Sequence, residues 1–502
     1  MVDRVVVLGG GTAGWMTALA LVRRAGAAKP PVITLVDSAA IGSIGVGEAT
    51  VPAILDYLAS VKADVPALIR DSKATLKAGI AFRDWRAVGQ KYFHGFGLHG
   101  ASAGGIGFHH VLGWLRAQGA AQDMQLEDFS LCAQMAIRGR FTAPPVDPRA
   151  DYELYRWALH LDAGLFAQHL RGQAISDGVQ HLDGVFEHAD IDCTSGALTA
   201  ITLTDGRRLE ADLFIDCSGF RGLLIRQALQ QPWVSWRHWL PCDRAVAQPS
   251  TLIGEAKPYT VAQALTAGWR WRIPLQHRVG HGHVYASEFM SDEQALGLLQ
   301  RHQEGEALAD PNWIRFDPGH IAKPWVRNVV AIGLSAGFLE PLESTGITLI
   351  HSAIDKLLAL WPDRSMSPAL SAEFNRASRL EMERIRDFLV LHYALSERRD
   401  SDFWRHVTQS PLPETLAHKL EVFRANGHFV RHEWETFQDN SWLAIYDGLG
   451  IAPAQHDSRM GRFKVADVLR SCEAMKVAIR RHADSAPAPD AQALAQALHR
   501  AS

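Results

Sequence analysis

The chain has 502 residues and a net charge of −3, from 51 Lys and Arg set against 54 Asp and Glu. So even a balance gives no general attraction to nucleic acid or to an anionic membrane, and no run approaches the ~18 unbroken apolar residues of a spanning helix. The cysteines, five in all and without Cys-x-x-Cys spacing, argue against a disulfide framework or a zinc site. They read as reduced thiols of a cytoplasmic protein.

In chain order, Met1–Asp3 leads straight into the apolar run Val5–Leu8, which leaves no room for a signal peptide. Gly9, Gly11 and Gly14 follow as Gly-x-Gly-x-x-Gly, then an Ala- and Leu-rich helical pattern to about Arg24, then Val32–Val36 ending in Asp37. Strand, tight turn, helix N-terminus, second strand and acid form a dinucleotide-binding unit. Backbone at Gly9, Gly11 and Gly14 approaches the pyrophosphate, and the Asp37 carboxylate accepts a ribose hydroxyl. The motif leaves open which dinucleotide binds.

Gly42, Gly45 and Gly47 mark a loop lying close to something, after which Thr50 offers an N-cap and Pro52 a first-turn residue for a helix over about 53–68. Lys77–Trp85 alternates as a strand begun by a lysine, and the Gly-, His- and Phe-rich stretch 92–110 reads as a functional loop. A helix is expected around Leu154–Gln173, with His160-Leu161-Asp162 at its middle, then short strands near 179–187 and 198–204. Asp205-Gly206 signals a hairpin between 198–203 and 209–215, and 212–216 is a buried strand. The stretch 245–290 is β-rich, 329–333 is a further core strand, and a helix opens at 338–346 and runs to about Trp361. From 371 to 481 the pattern is helical, and 484–502 reads as a tail.

The expected fold is therefore α/β: a Rossmann-like, three-layer, flavin monooxygenase-type FAD/NAD(P)-binding module with an inserted substrate β-sheet and a helical C-terminal region. The corresponding domains are 1–370, with insertions at about 90–150 and 225–325, then 371–483 and the tail. A second Gly-x-Gly-x-x-Gly is absent, so electrons are expected from outside the chain.

Two stretches carry chemistry. Phe338–Ile347 places Ser344, Thr345 and Gly346 at a second helix N-terminus, where free N–H groups can hold a small anion or an isoalloxazine edge; Glu340 and Glu343 complement the helix dipole or serve that site. Trp269-Arg270-Trp271-Arg272-Ile273-Pro274 alternates as a strand with both tryptophans on one face, either a packed edge or a cofactor wall.

Together, Gly-Gly-Gly-Thr-Ala-Gly-Trp at 9–15, Val-Gly-Glu-Ala-Thr-Val-Pro at 46–52, Lys77 ahead of Phe82 and Trp85, Trp-x-Trp-x-Ile-Pro at 269–274 and Phe-x-x-Pro-x-x-Ser-x-Gly at 338–346 resemble the flavin-dependent tryptophan halogenase family. His160-Leu161-Asp162, Asp216–Gly222 and His392-Tyr393 agree. The resemblance implies a two-component enzyme: a separate NAD(P)H-dependent flavin reductase supplies FADH2, and reduced FAD, O2 and chloride or bromide generate hypohalous acid. It implies halide contacts at Thr345 and Gly346, FAD contacts at Gly11, Thr12, Ala13, Gly14, Asp37, Leu334, Ile347 and Val185, and a tunnel lined by Trp269, Trp271, Pro274 and Ser344. Lys77 hydrogen-bonds the reagent or becomes a haloamine, while Glu343 orients it or stabilises the cationic intermediate and accepts its proton. A homodimer is compatible with the resemblance.

Members acting on tryptophan are expected to carry a tyrosine pair and a nearby acid in the C-terminal region. Phe437–Tyr446 lacks that pair, which points to an indole- or phenol-like arene in a pocket lined by Phe93, His94, Phe96, Phe108 and Trp442. Histidine spacing there supports no metal site. The alternatives are a single-component flavin aromatic hydroxylase, which has no need of Lys77, and a catalytically inactive flavin-binding redox protein, which would not need to keep both Lys77 and Glu343.

Overall fold

The computed structural model describes residues 2–24, 31–38 and 47–489. Gly42, Gly45, Val46 and the end of the expected tail, 490–502, lie outside the described residues. The chain forms two compact units, each assembled from three stretches: Met1–Ala74, Leu161–His238 and Arg315–Glu383 in the first, and Thr75–His160, Trp239–Ile314 and Arg384–Ser502 in the second.

The first unit is built on a six-stranded sheet in the order Trp325–Val326, Val329–Ala331, Leu213–Asp216, Arg4–Leu8, Val32–Asp37, Gln180–Asp183. All neighbours are parallel except the Trp325–Val326 edge. Parallel strands are covered on both faces, so they read as unbroken apolar runs, and Val5, Val7, Leu35, Ile215 and Val330 are all buried. The helices Thr12–Arg24, Ala163–Ser176 and Gly346–Ala359 pack in this unit. The expected hairpin forms between Leu198–Leu203 and Arg208–Glu210, with Asp205 and Gly206 in its turn; the apolar run continues as a separate strand, Leu213–Asp216.

The second unit carries a seven-stranded sheet in the order Asn312–Arg315, Arg244–Ser250, Val279–Tyr285, Gly268–Pro274, Thr260–Leu265, Gly79–Arg83, Lys91–Gly95. From Arg244–Ser250 onward its neighbours are antiparallel, except for the parallel pair Thr260–Leu265 and Gly79–Arg83. Its helices include Phe108–Ala117, Leu131–Ile137, Asp439–Gly448 and Val465–Ser485, the last reaching into the stretch read as a tail. Among the described residues no helix is long and apolar enough to cross a membrane.

Several elements differ from expectation. His160-Leu161-Asp162 is not mid-helix: Ala158–Asp162 is a buried strand pairing antiparallel with Thr75–Lys77, and the helix starts only at Ala163. The Asp162 carboxylate caps it, accepting from the Gly164 and Leu165 amides at 3.1 and 3.2 Å. Lys77 ends a strand rather than beginning one, because the chain changes partners at Ala78: Thr75–Lys77 pairs with Ala158–Asp162, and Gly79–Arg83 with Lys91–Gly95. The stretch 92–110 is irregular over 96–107, as expected, and regular only at its two ends, with a strand at Lys91–Gly95 and a helix beginning at Phe108. The expected helix 53–68 is two, Ala53–Ser60 and Val65–Asp71, broken where Lys62 turns to a left-handed φ of 48° and Asp64 caps the second. Pro52, not Thr50, occupies the first helix's cap position.

Asp216, at the end of its strand, accepts from the amides of Ser218 at 3.0 Å and of Leu224 and Ile225 at 2.8 Å each. This buried carboxylate thereby satisfies the start of the helical turn Leu223–Ala228. Replacing it with Ala leaves buried amides unpaired, at roughly 1–3 kcal/mol per group. Asp216→Ala is therefore expected to lower the urea midpoint more than Asp216→Asn does; equal midpoints would show that the amides find other partners.

Candidate active site

The dinucleotide turn lies in the first unit. Gly9 has a φ of +115° and hands the strand Arg4–Leu8 to the helix Thr12–Arg24, whose first amides lack intrahelical partners. Gly14 is required by close approach, since a Cβ there would stand 1.8 Å from the Gly9 carbonyl oxygen. A Cβ at Gly11 would meet nothing within 4 Å, so this side of the turn is open.

Asp37 lies against the turn, with Oδ2 1.7 Å from where a Gly10 Cβ would sit, and its Oδ1 is 2.6 Å from His181 Nε2. The His181 ring in turn packs 5.5 Å from Trp15. His181 is a residue sequence reasoning missed; its signal was the strand parallel to Val32–Asp37, which sets His181 opposite Leu35. The Gly184 amide donates to the Asp37 carbonyl at 2.7 Å, so Val185 follows directly on that contact. Leu334 belongs to the turn Gly333–Ser335, and a Cβ on Gly333 would lie 2.7 Å from Ala13 Cβ and 3.6 Å from Ile350 Cγ1. The glycine-turn helix, the Leu334 turn and the helix that begins with Gly346-Ile347 thus meet at Gly333. The open Gly11, the helix amides and the half-buried Asp37 carboxylate fit a flavin dinucleotide.

The second helix N-terminus is in the same unit. Pro341–Glu343 forms a tight turn, Ser344 takes a left-handed φ of 61°, and Thr345 is the cap residue of Gly346–Ala359. Gly346 is exposed, and a Cβ on it would meet nothing within 4 Å. The first amides of this helix and its dipole favour a small anion there. Glu343 and Ser344 are buried beside it.

Lys77 lies in the second unit. Its side chain is fully buried, with Nζ 5.3 Å from the centroid of the Phe96 ring, a cation–π arrangement that partly offsets the desolvation of the ammonium. Phe96 packs edge-on to His94 at 6.2 Å, and His94 to Phe388 at 6.1 Å; Phe388 stacks on Phe437 at 4.0 Å and meets Trp442 at 4.9 Å. Of the residues expected to line the arene pocket, His94, Phe96 and Trp442 are therefore brought into one aromatic cluster beside Lys77. Phe388 and Phe437 were missed, although Phe388 lies four residues before His392 on one helix. Phe93 and Phe108 go elsewhere: Phe93, on the other face of its strand from His94, packs on Tyr259 at 5.6 Å, and Phe108 on Phe129 at 4.7 Å, both within the apolar core of this unit.

Trp269 and Trp271 are buried on one face of the central strand, 6.1 Å apart. Arg270, on the opposite face, donates to Gln263 at 2.9 Å, and Arg272 pairs with Glu304. The Trp271 indole lies flat over Gly282, where a Cβ would be 2.0 Å from the ring. The Pro274 carbonyl at the end of this strand accepts the Thr75 hydroxyl at 2.6 Å.

Residues 4–464 match the tryptophan halogenase family. The chain belongs to that family. It is 34% identical to tryptophan 7-halogenase KtzQ of Kutzneria sp. strain 744, over 99% of this chain and 98% of the relative. Among solved structures it is similar to BrvH, a flavin-dependent halogenase from Brevundimonas sp. BAL3, with a TM-score of 0.94, 45% identity and 99% of both chains covered. It is also similar to Xcc4156, a flavin-dependent halogenase from Xanthomonas campestris, with a TM-score of 0.93, 39% identity and 99% and 98% covered. As a family member it is a flavin-dependent halogenase that uses FADH2 and a halide ion, with an aromatic substrate and a separate flavin reductase.

The close fit of Trp271 over Gly282 is directly testable. Gly282→Ala is expected to displace the indole, reduce the free energy of unfolding by roughly 1–3 kcal/mol, read as a lower urea midpoint, and shift tryptophan emission, while FAD still binds. Unchanged stability and emission would show that the ring has room.

Proposed function

We propose that this halogenase acts on a compact, weakly polar, electron-rich arene of the indole or phenol type rather than on free tryptophan, with Lys77 presenting the reagent and Glu343 taking the arene's proton. The observation that carries the reading is the Lys77 ammonium held on the Phe96 ring and continuous with the aromatic cluster of His94, Phe388, Phe437 and Trp442. Beside that cluster, Lys419 and Glu435 form a buried ion pair. Lys419 Nζ lies 2.8 Å from Glu435 and 4.6 Å from the Trp442 ring centroid, and the Trp442 indole N–H donates to Glu435 at 3.1 Å. Binding the ammonium and carboxylate of an amino acid there would require breaking a buried ion pair, which is strongly unfavourable. An arene without those charges leaves the pair intact.

When bound, reduced FAD supplies the electrons that, with O2 and halide, yield hypohalous acid. Thr345 and Gly346 hold the halide with backbone N–H groups at their helix N-terminus. Trp269 and Trp271 exclude water and organic substrate from the path. The Lys77 ammonium donates a hydrogen bond to the oxygen of hypohalous acid, leaving the halogen as the electrophilic end. A ring carbon of the arene then attacks the halogen, the halogen–oxygen bond breaks, and the departing oxygen takes the ammonium proton to leave as water. The cationic ring loses its proton to the Glu343 carboxylate, which restores aromaticity.

The test is a reaction containing FAD, NADH, an unrelated flavin reductase and bromide or chloride, with an arene panel that includes indole, phenols and tryptophan, read by mass spectrometry. A halogen isotope pattern on indole or a phenol, in larger yield than on tryptophan, is expected. Strong halogenation of free tryptophan with indole and phenols untouched would overturn the reading.

A further inference from the structure

Behind Lys77 lies a chain of hydrogen bonds whose proton direction is determined by its members. Thr75, two residues before Lys77, is the register partner of His160, and Lys77 is the partner of Ala158. Residues two apart on a strand share a face, so Thr75 and Lys77 point to the same side. There the neighbouring strand offers an imidazole beside Thr75 and only a methyl group opposite Lys77. The Thr75 hydroxyl lies 2.6 Å from the Pro274 carbonyl and 3.0 Å from His160 Nδ1. A hydroxyl has one proton and a carbonyl can only accept, so that proton goes to Pro274 and Thr75 accepts from His160.

His160 therefore carries its proton on Nδ1, and its bare Nε2 accepts from the Thr260 hydroxyl at 2.9 Å. The ring is fully buried, and that burial, with the positive charges of Lys77 and Arg272, holds its pKa well below the ordinary histidine value, so the imidazole is neutral. Read in order, Thr260 donates to His160, His160 to Thr75, and Thr75 to Pro274. One imidazole thus ties the strand carrying Lys77 to Thr260 on the neighbouring sheet, and through Thr75 to the end of the two-tryptophan strand.

We infer that His160 is a positioning residue for halogen transfer, holding through Thr75 the strand that keeps the Lys77 ammonium against the Phe96 ring. The inference rests on the reading of Lys77 as the group that presents hypohalous acid. It is specific about the ring's two nitrogens: the Nδ1 bond reaches the lysine strand, whereas the Nε2 bond reaches only Thr260.

The experiment measures, with bromide and indole, brominated product per FADH2 oxidised, together with hypobromous acid escaping to a taurine trap, FADH2 reoxidation rate and urea midpoint. His160→Ala and Thr75→Val are expected to reoxidise FADH2 at the wild-type rate while product per flavin falls by roughly tenfold to a hundredfold and trapped oxidant rises. His160→Asn, whose amide N–H can replace the Nδ1 donor, recovers most of the coupling. His160→Gln, whose longer amide reaches only toward Thr260, does not, even at equal stability. Wild-type coupling in His160→Ala, or equal coupling in the Asn and Gln variants, overturns the inference. Lys77→Ala is the control: coupled turnover in that variant overturns the reading of Lys77 itself, whereas uncoupled Lys77→Ala beside coupled His160→Ala overturns only the positioning role.

Discussion

A buried ammonium is the constraint on which the second unit depends. Moving such a group out of water costs several kcal/mol unless its surroundings compensate, and Lys77 has no solvent exposure. The Phe96 ring face offers electron density, and the strand pairing with Ala158–Asp162 fixes where the lysine side chain starts. A lysine free to sample solvent would be an ordinary surface charge. Held against an aromatic wall, it becomes a compact donor whose strength is undiluted by water, which suits it to polarise a small neutral oxidant.

The first unit solves a different electrostatic problem twice with one device. At Gly9–Gly14 and again at Ser344–Gly346, a tight turn delivers the chain into a helix that starts beside a glycine, Gly11 or Gly346, where a Cβ would meet nothing within 4 Å. Both turns use backbone of positive φ, at Gly9 and at Ser344, to start a helix, and a helix N-terminus favours an anion: the proposed occupants are a pyrophosphate at the first and a halide at the second. The acid beside each is managed differently. Asp37 lies against the glycine turn, half-buried, with His181 on one oxygen, whereas Glu343, in the turn that precedes the second helix, is fully buried.

What could be read from the sequence follows from how local each signal is. Val5–Leu8 with the glycine turn, the helix at 346 and the β-rich stretch 245–290 are encoded by short-range patterns, and the fold places them as expected. Family motifs drew attention to Lys77, Glu343 and the two tryptophans because their spacing is contiguous. His160-Leu161-Asp162 was read as helix because apolar spacing on either side is helical, and only pairing with Thr75–Lys77, distant in sequence, makes it a strand. Phe93 and Phe108 looked like pocket residues because aromatic content says nothing of which strand or helix face a ring occupies. Phe388 and Phe437 went unseen for the converse reason, since their stacking joins segments that no local pattern connects.

The most direct test of this account is a single turnover of protein loaded with photoreduced FAD, mixed with air, bromide and indole, in the wild type and in Lys77→Met. The account predicts equal rates of flavin reoxidation and brominated indole from the wild type alone. Brominated indole from Lys77→Met at the wild-type yield would contradict it.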